Sequence, residues 1–170
     1  MSKTAENFVN KFWDDAVAVE QKYGVPVGIT LTMGAIESAY GKSPIGNNYF
    51  GIKADKYWIS KGKKYTNTKT HEYDPTKGLY PDVQPFRLYD SVREGWLDFG
   101  RLIRHGWEPN GYWKKAKPFL SDPPRAIEAI TQPPFPAYAT GPSYPKAAKN
   151  FYAALLPYIQ KKKAVTEPEQ

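Results

Sequence analysis

The chain has no cysteine, two histidines and two methionines in 170 residues. The first absence excludes a disulfide scaffold, cysteine-ligated zinc and a thiol nucleophile. With His71 and His105 alone, a histidine-rich metal site is not expected, and a Ser-His-Asp triad would have to be built around one of these two. No cofactor is called for. No uninterrupted apolar run approaches the ~18 residues of a membrane span, so no membrane insertion is expected. The N-terminal residues Met1 to Asn7 lack the basic-then-apolar pattern of a secretory signal. Acidic residues are also in deficit, 17 against 24 Lys and Arg, leaving a net charge of +7. Such a chain is drawn to something anionic, and nucleic acid, an acidic membrane surface and the bacterial cell wall all qualify. No recognisable nucleic-acid motif accompanies the charge.

Aromatic residues are plentiful, with 13 Tyr, 5 Trp and 8 Phe. Most belong to core and rim, while some would suit stacking on sugars or bases in a groove. The length suffices for one domain burying roughly 70% of its unfolded surface. Phe8, Phe12, Ala16, Val19 and Tyr23 form one apolar stripe, predicting a helix from about Ala5 to Tyr23, stopped by Gly24. A second helix is expected from Pro26 to Gly41, with so little polar surface that it is buried among others. Alternation over Tyr65 to Tyr73 predicts a strand with Thr66, Thr68, Thr70 and Glu72 on one face. Lys61-Gly62-Lys63 would close a hairpin before it. Asp74-Pro75-Thr76-Lys77-Gly78 would close one after it, with a return strand around Gln84 to Tyr89. Ser91 and Glu94 form a capping box for a third helix to Gly106, and Asp122-Pro123 opens a short one to about Thr131. A last helix spans about Ser143 to Ile159. The expected organisation is a single domain over residues 1–160, with a β-lobe at about 56–89 and a disordered tail at 161–170. The fold class is α+β, a mainly helical body carrying a small inserted antiparallel lobe.

Chemistry concentrates at Glu37. It falls in the last turn of the buried second helix, where the macrodipole disfavours an anion. Met33, four residues before, and Tyr40, three after, would flank it on one helix face and strip water from it. Both effects raise a carboxyl pKa, as a general acid working near neutrality requires.

The run Ala35-Ile36-Glu37-Ser38-Ala39-Tyr40-Gly41-Lys42-Ser43, followed by Asn47-Asn48-Tyr49-Phe50-Gly51-Ile52-Lys53, resembles the signature of the bacterial glucosaminidases of glycoside hydrolase family 73. Thr70-His71-Glu72-Tyr73, Phe86-Arg87-Leu88-Tyr89-Asp90-Ser91 and the stretch from Tyr138 to Tyr144 extend the resemblance in the family's order. The chain departs from the pattern before Tyr138 and at Gly141, and its Pro-rich bend at 133–136 and its 56–64 stretch are individual.

The resemblance implies a lysozyme-like fold and hydrolysis of the β-1,4 bond between N-acetylglucosamine and N-acetylmuramic acid in peptidoglycan, with Glu37 as general acid. Glu72 matches the family's second glutamate; Asp74, on the same strand face, is its rival. Tyr138 matches a tyrosine of the catalytic cleft, where its hydroxyl would bond Glu37 or stabilise positive charge on the sugar. Tyr40, Asn48, Tyr49 and Phe50 would line the sugar groove, with Phe50 equally suited to the core. The expected partner is the glycan strand of peptidoglycan, met by a monomer in the periplasm or cell wall. Without a signal peptide, delivery would be by a specialised secretion system, by phage lysis or as part of a larger exported protein. An injected effector would imply an immunity protein that plugs the cleft. The competing readings are a lytic transglycosylase or muramidase with the same acid, and a wall-binding module without turnover.

Overall fold

The computed structural model describes residues 2–139 and 141–166. Helix α1 (Lys3–Tyr23) starts where the Ser2 hydroxyl accepts the Ala5 N–H, and stops at the left-handed Gly24 (φ 72°), whose N–H returns to the Glu20 carbonyl. Glycine adopts that conformation without a Cβ penalty, which is why the stop falls there. Glu20 then serves the next element: its carboxylate accepts the Val27 N–H at 2.7 Å. Pro26, the N-cap of α2 (Val27–Glu37), has no side chain able to do so.

Every residue of α2 from Val27 to Ala35 is buried. A Cβ on Gly34 would sit 3.2–3.3 Å from Trp96 and Phe50, so the bare backbone lets these rings close over the helix. The helix ends at Glu37, four residues before the expected Gly41. The Ser38 hydroxyl donates to the Gly34 carbonyl at 2.6 Å and accepts the Gly41 N–H at 2.8 Å, while Ala39, Tyr40 and Gly41 all take left-handed φ values. A serine able to satisfy both backbone partners at a helix end competes with another turn of helix, a local option that apolar periodicity does not register.

After an irregular stretch, α3 (Lys56–Ser60) is capped by the Asp55 carboxylate, which accepts the Trp58 N–H at 2.8 Å. The Lys61-Gly62 turn therefore ends a short helix and does not close a hairpin. Strands β1 (Tyr65–Asp74) and β2 (Gly78–Arg87) pair antiparallel, with Thr66 opposite Phe86, Thr70 opposite Asp82 and Glu72 opposite Tyr80. The threonine face with Glu72 is the half-buried one, as the alternation required. The return strand begins at Gly78, six residues before the expected Gln84. The Asp74 carboxylate, accepting from the Thr76 and Lys77 N–H groups, tightens the turn enough for pairing to start at once.

The lobe is tied to the body by backbone bonds Arg87 N–H to Ile52 and Ala54 N–H to Pro85. It is tied also by the nearly buried Arg87, which donates to Asp98 (3.0 Å) and to the Lys53 carbonyl (3.0 Å). Helix α4 (Val92–His105) carries Asp98 and buries Trp96, Phe99 and Ile103 completely. Ser91 caps it by accepting the Glu94 N–H, while Glu94 reaches Asp90 N–H, so the box is shifted by one residue. Beyond it lie α5 (Tyr112–Ala116), a 3-10 turn (Lys117–Phe119) and α6 (Pro123–Thr131). The first two, being a single turn each, carry too little periodicity to be read from sequence.

Helix α7 (Tyr144–Thr166) runs past Ile159, so residues 161–166, expected in a disordered tail, are helical. The last four residues of that tail lie outside those described. One hydrophobic core joins α1, α2, α4, α6 and α7 around α2. No helix among the described residues is long and apolar enough to cross a membrane.

Candidate active site

Glu37 is the last residue of α2, delivered to the edge of the core by a helix that cannot move without disturbing its neighbours. Its Oε1 accepts a 2.8 Å hydrogen bond from the hydroxyl of Tyr144, the first residue of α7. On the other side, Gly51 (φ 62°) backs the carboxyl so closely that a Cβ there would lie 3.2 Å from Oε2. Burial pushes the carboxyl from its ordinary 4.5 up to about 7, with the Tyr144 hydrogen bond pulling in the opposite direction. The group is thus poised to give up a proton near neutrality. Burial raises the carboxyl pKa in the expected direction, but the Tyr40 ring is turned elsewhere. Tyr40, freed from the helix, stacks on Phe151 (4.9 Å, 18°) and meets Phe8 edge-on, so its ring faces the α7 side of the core.

Tyr138 does not bond Glu37. Its hydroxyl donates to the Phe50 carbonyl at 2.6 Å and so fixes the peptide that leads into Gly51, behind the acid. It stands one contact further from Glu37 than the sequence suggested, while the Glu37 charge helps raise its own pKa beyond the effect of burial. The residue in direct contact is Tyr144, which closes the Tyr138–Tyr144 stretch of the resemblance but was not assigned to Glu37 from the sequence: it opens α7 and meets Glu37 across 107 positions.

Glu72 projects from the half-buried face of β1 and pairs with Lys53 at 2.7 Å. Lys53 bridges to Phe86 on β2 and lies two residues beyond Gly51. The short strip from Gly51 to Lys53 therefore runs from the backbone behind the Glu37 carboxyl to the lysine that holds Glu72. Asp74 has a different occupation: its carboxylate is committed to the hairpin turn, and those hydrogen bonds, first of all from the Thr76 hydroxyl, hold its pKa below the usual carboxylate range. Asp82, opposite Thr70 on the Glu72 face, was not singled out from the sequence; its pKa is lowered by Gln84, by the Val83 N–H and by Lys53.

Three residues expected in the sugar groove are interior. Asn48 is 2% exposed and fully used: its amide donates to the Ile52 and Arg87 carbonyls, and its oxygen accepts from the Phe50 and Ile52 N–H groups. Tyr49 packs on Phe12 at 4.9 Å, and Phe50 is stacked on Phe99 at 4.1 Å. Their polar and aromatic character serves the bend that carries Gly51, since a buried loop must satisfy its own backbone groups. Among the described residues, no group of three or more His, Asp or Glu is placed to hold a metal. A depression of about 580 Å³ lined by Trp58, Lys63, Tyr89 and Arg101 includes none of Glu37, Tyr144 and Glu72.

The family model described as mannosyl-glycoprotein endo-beta-N-acetylglucosaminidase matches residues 13–156, a span that contains Glu37, Glu72, Tyr138 and Tyr144. The chain belongs to the glucosaminidase family. It is a glycoside hydrolase domain of family 73, with the α+β lysozyme-like architecture of its neighbours. It is 28% identical over 148 residues to the peptidoglycan hydrolase FlgJ of Vibrio parahaemolyticus, covering 82% of this chain and 44% of that protein. The chain thus spans less than half the length of the curated relatives it matches. A crystal structure of a peptidoglycan hydrolase mutant from Sphingomonas sp. A1 superposes with a TM-score of 0.71 at 27% identity, over 92% of this glucosaminidase chain and 99% of that one. The glycoside hydrolase domain of Salmonella typhimurium FlgJ shares the fold, with a TM-score of 0.67 at 21% identity over 97% and 95% of the two chains.

Proposed function

We propose that this glucosaminidase domain is a peptidoglycan hydrolase that cleaves the β-1,4 bond between N-acetylglucosamine and N-acetylmuramic acid, with Glu37 as general acid. The observation that carries the reading is the Glu37 carboxyl itself, pushed to about 7 by burial at the close of α2 and gripped by the Tyr144 hydroxyl. A protonated carboxyl near neutral pH can protonate the departing glycosidic oxygen, while Tyr144 and the Gly51 backbone hold it in one orientation.

Glycoside cleavage generally takes a second carboxylate on the other side of the sugar. Glu72 fills that role in this reading: it stands on the lobe face that the Gly51–Lys53 strip joins to Glu37, and Lys53 fixes its direction. Asp74 is spent on the turn. Tyr138 is a positioning residue, acting through the Phe50 carbonyl. The net charge of +7 favours approach to the anionic wall. Action at the cell wall follows from the substrate; an immunity protein covering Glu37 belongs to the case in which the domain is injected into a rival cell.

Digestion of purified sacculi followed by mass spectrometry tests the proposal. New reducing N-acetylglucosamine ends are expected. Anhydro-muramic ends would assign the chain to lytic transglycosylases, reducing muramic ends to muramidases, and wall binding without released fragments to a binding module. Unreduced lysis by a Glu37→Gln variant would remove Glu37 from the mechanism.

A further inference from the structure

Trp107 and Phe135 are among the most exposed large apolar residues, at 57% and 74%, yet they are not loose. Their rings meet edge-to-face at 4.9 Å. Trp107 holds a left-handed backbone (φ 63°), a conformation a bulky residue rarely adopts unless its surroundings impose it. The backbone on either side of Phe135 is fixed: the Lys115 ammonium on α5 donates to the carbonyls of Gln132 (2.7 Å), Pro134 (2.8 Å) and Pro136 (2.9 Å). Two aromatic rings held rigidly in water are the form a sugar-stacking surface takes, because little side-chain freedom is left to lose on binding.

The pair is linked to the site already described through the interior: Trp107 neighbours the buried Tyr112, Tyr112 stands 5.9 Å from Tyr138, and Tyr138 bonds the Phe50 carbonyl behind Glu37. Beside Trp107, a depression of about 510 Å³ is lined by its neighbours Gly106 and Glu108 together with Trp113, Lys114 and Lys117. Ammonium groups next to an exposed aromatic platform complement a glycan whose muramic units carry peptides with free carboxylates, and offer little to a neutral polymer.

We propose that Trp107 and Phe135 form a distal glycan-stacking platform, with Lys114 and Lys117 facing the carboxylates of the same strand, so that the domain engages a long peptidoglycan strand well beyond the bond it cuts. The inference rests on the glycan-cleaving reading above. Its occupant is the substrate strand, and its effect is preference for polymer over short fragments.

The test compares the wild type with Trp107→Ala, Phe135→Ala and the double variant, using purified sacculi and a soluble tetrasaccharide of alternating N-acetylglucosamine and N-acetylmuramic acid. The ratio of kcat/KM on sacculi to kcat/KM on the tetrasaccharide is expected to fall about tenfold in the double variant, the scale of losing one or two stacking contacts. Trp107→Tyr, which keeps a stacking face, is expected to retain most of that ratio. In a Glu37→Gln background, co-sedimentation with sacculi should weaken by a similar factor when the two rings are removed. An unchanged ratio together with unchanged sedimentation overturns the platform, as does an equal loss on both substrates, which would mark the rings as structural. If no glycan of any length is cleaved, the proposed activity fails, and the sedimentation arm still decides the platform on its own.

Discussion

The Tyr144 hydroxyl donates to Glu37 Oε1 at 2.8 Å, joining the first residue of α7 to the last residue of α2. This contact favours the ionised carboxylate and opposes the upward push of burial. Removing it in Tyr144→Phe leaves burial unopposed, so the Glu37 pKa rises further. The basic limb of the pH–rate profile is expected to move upward by on the order of one pH unit, while kcat falls because the acid loses its orienting partner. Activity on sacculi measured from pH 5 to 9 reads both effects. A limb that stays in place would mean that Glu37 does not govern it.

Glu37→Gln separates chemistry from stability. Activity is expected to drop by about 10² to 10⁴, the usual contribution of a general acid. Stability moves the other way. The native carboxyl titrates near 7 against an ordinary 4.5, so its protonated form favours folding. That contribution is complete below about pH 4.5 and is lost as the pH rises through 7, a total of about 3 kcal/mol. The variant carries no such penalty at high pH. Its melting temperature is expected to exceed that of the wild type at pH 9 and to differ little at pH 4, as thermal melts across that range would show.

Gly51→Ala combines two costs. The residue sits at φ 62°, and a methyl group there would approach Glu37 Oε2 at 3.2 Å. The strained backbone alone costs about 1–2 kcal/mol. The displaced carboxyl should reduce kcat more than the lost stability accounts for. Urea unfolding and initial rates on the same preparation distinguish the two.

Lys53→Met removes the ammonium that holds Glu72, in a pair whose lysine side chain is 47% exposed. An ion pair this exposed contributes at most about 1 kcal/mol, so stability should barely change. Activity is nevertheless expected to fall, because Glu72 loses its fixed direction, and Glu72→Gln should fall further. A large stability loss in Lys53→Met with unaltered turnover would place the pair among structural contacts.

Asn48→Ala tests the reassignment of that residue from groove to core. Its amide makes four hydrogen bonds in a buried bend. Leaving several partners unsatisfied is expected to cost about 2–4 kcal/mol. Melting should report this loss, whereas KM for sacculi measured well below the melting temperature should stay close to the wild-type value.

Much of this protein is written in short-range pattern. The stripes of α1 and α4, the all-apolar α2 that carries Glu37, and the threonine face of β1 follow from side-chain periodicity, which the backbone geometry of each element imposes regardless of its neighbours. What the tertiary structure alone decided is which polar and aromatic side chains meet. Asn48, Tyr49 and Phe50 became interior because a bend packed on Phe12, Phe99 and Arg87 needed them there, and Tyr144 displaced Tyr138 as the partner of Glu37 across a separation of 107 residues. Local propensity extends over a few residues and contact energy over a few ångströms. Only a folded chain converts the second into neighbours that the first cannot foresee.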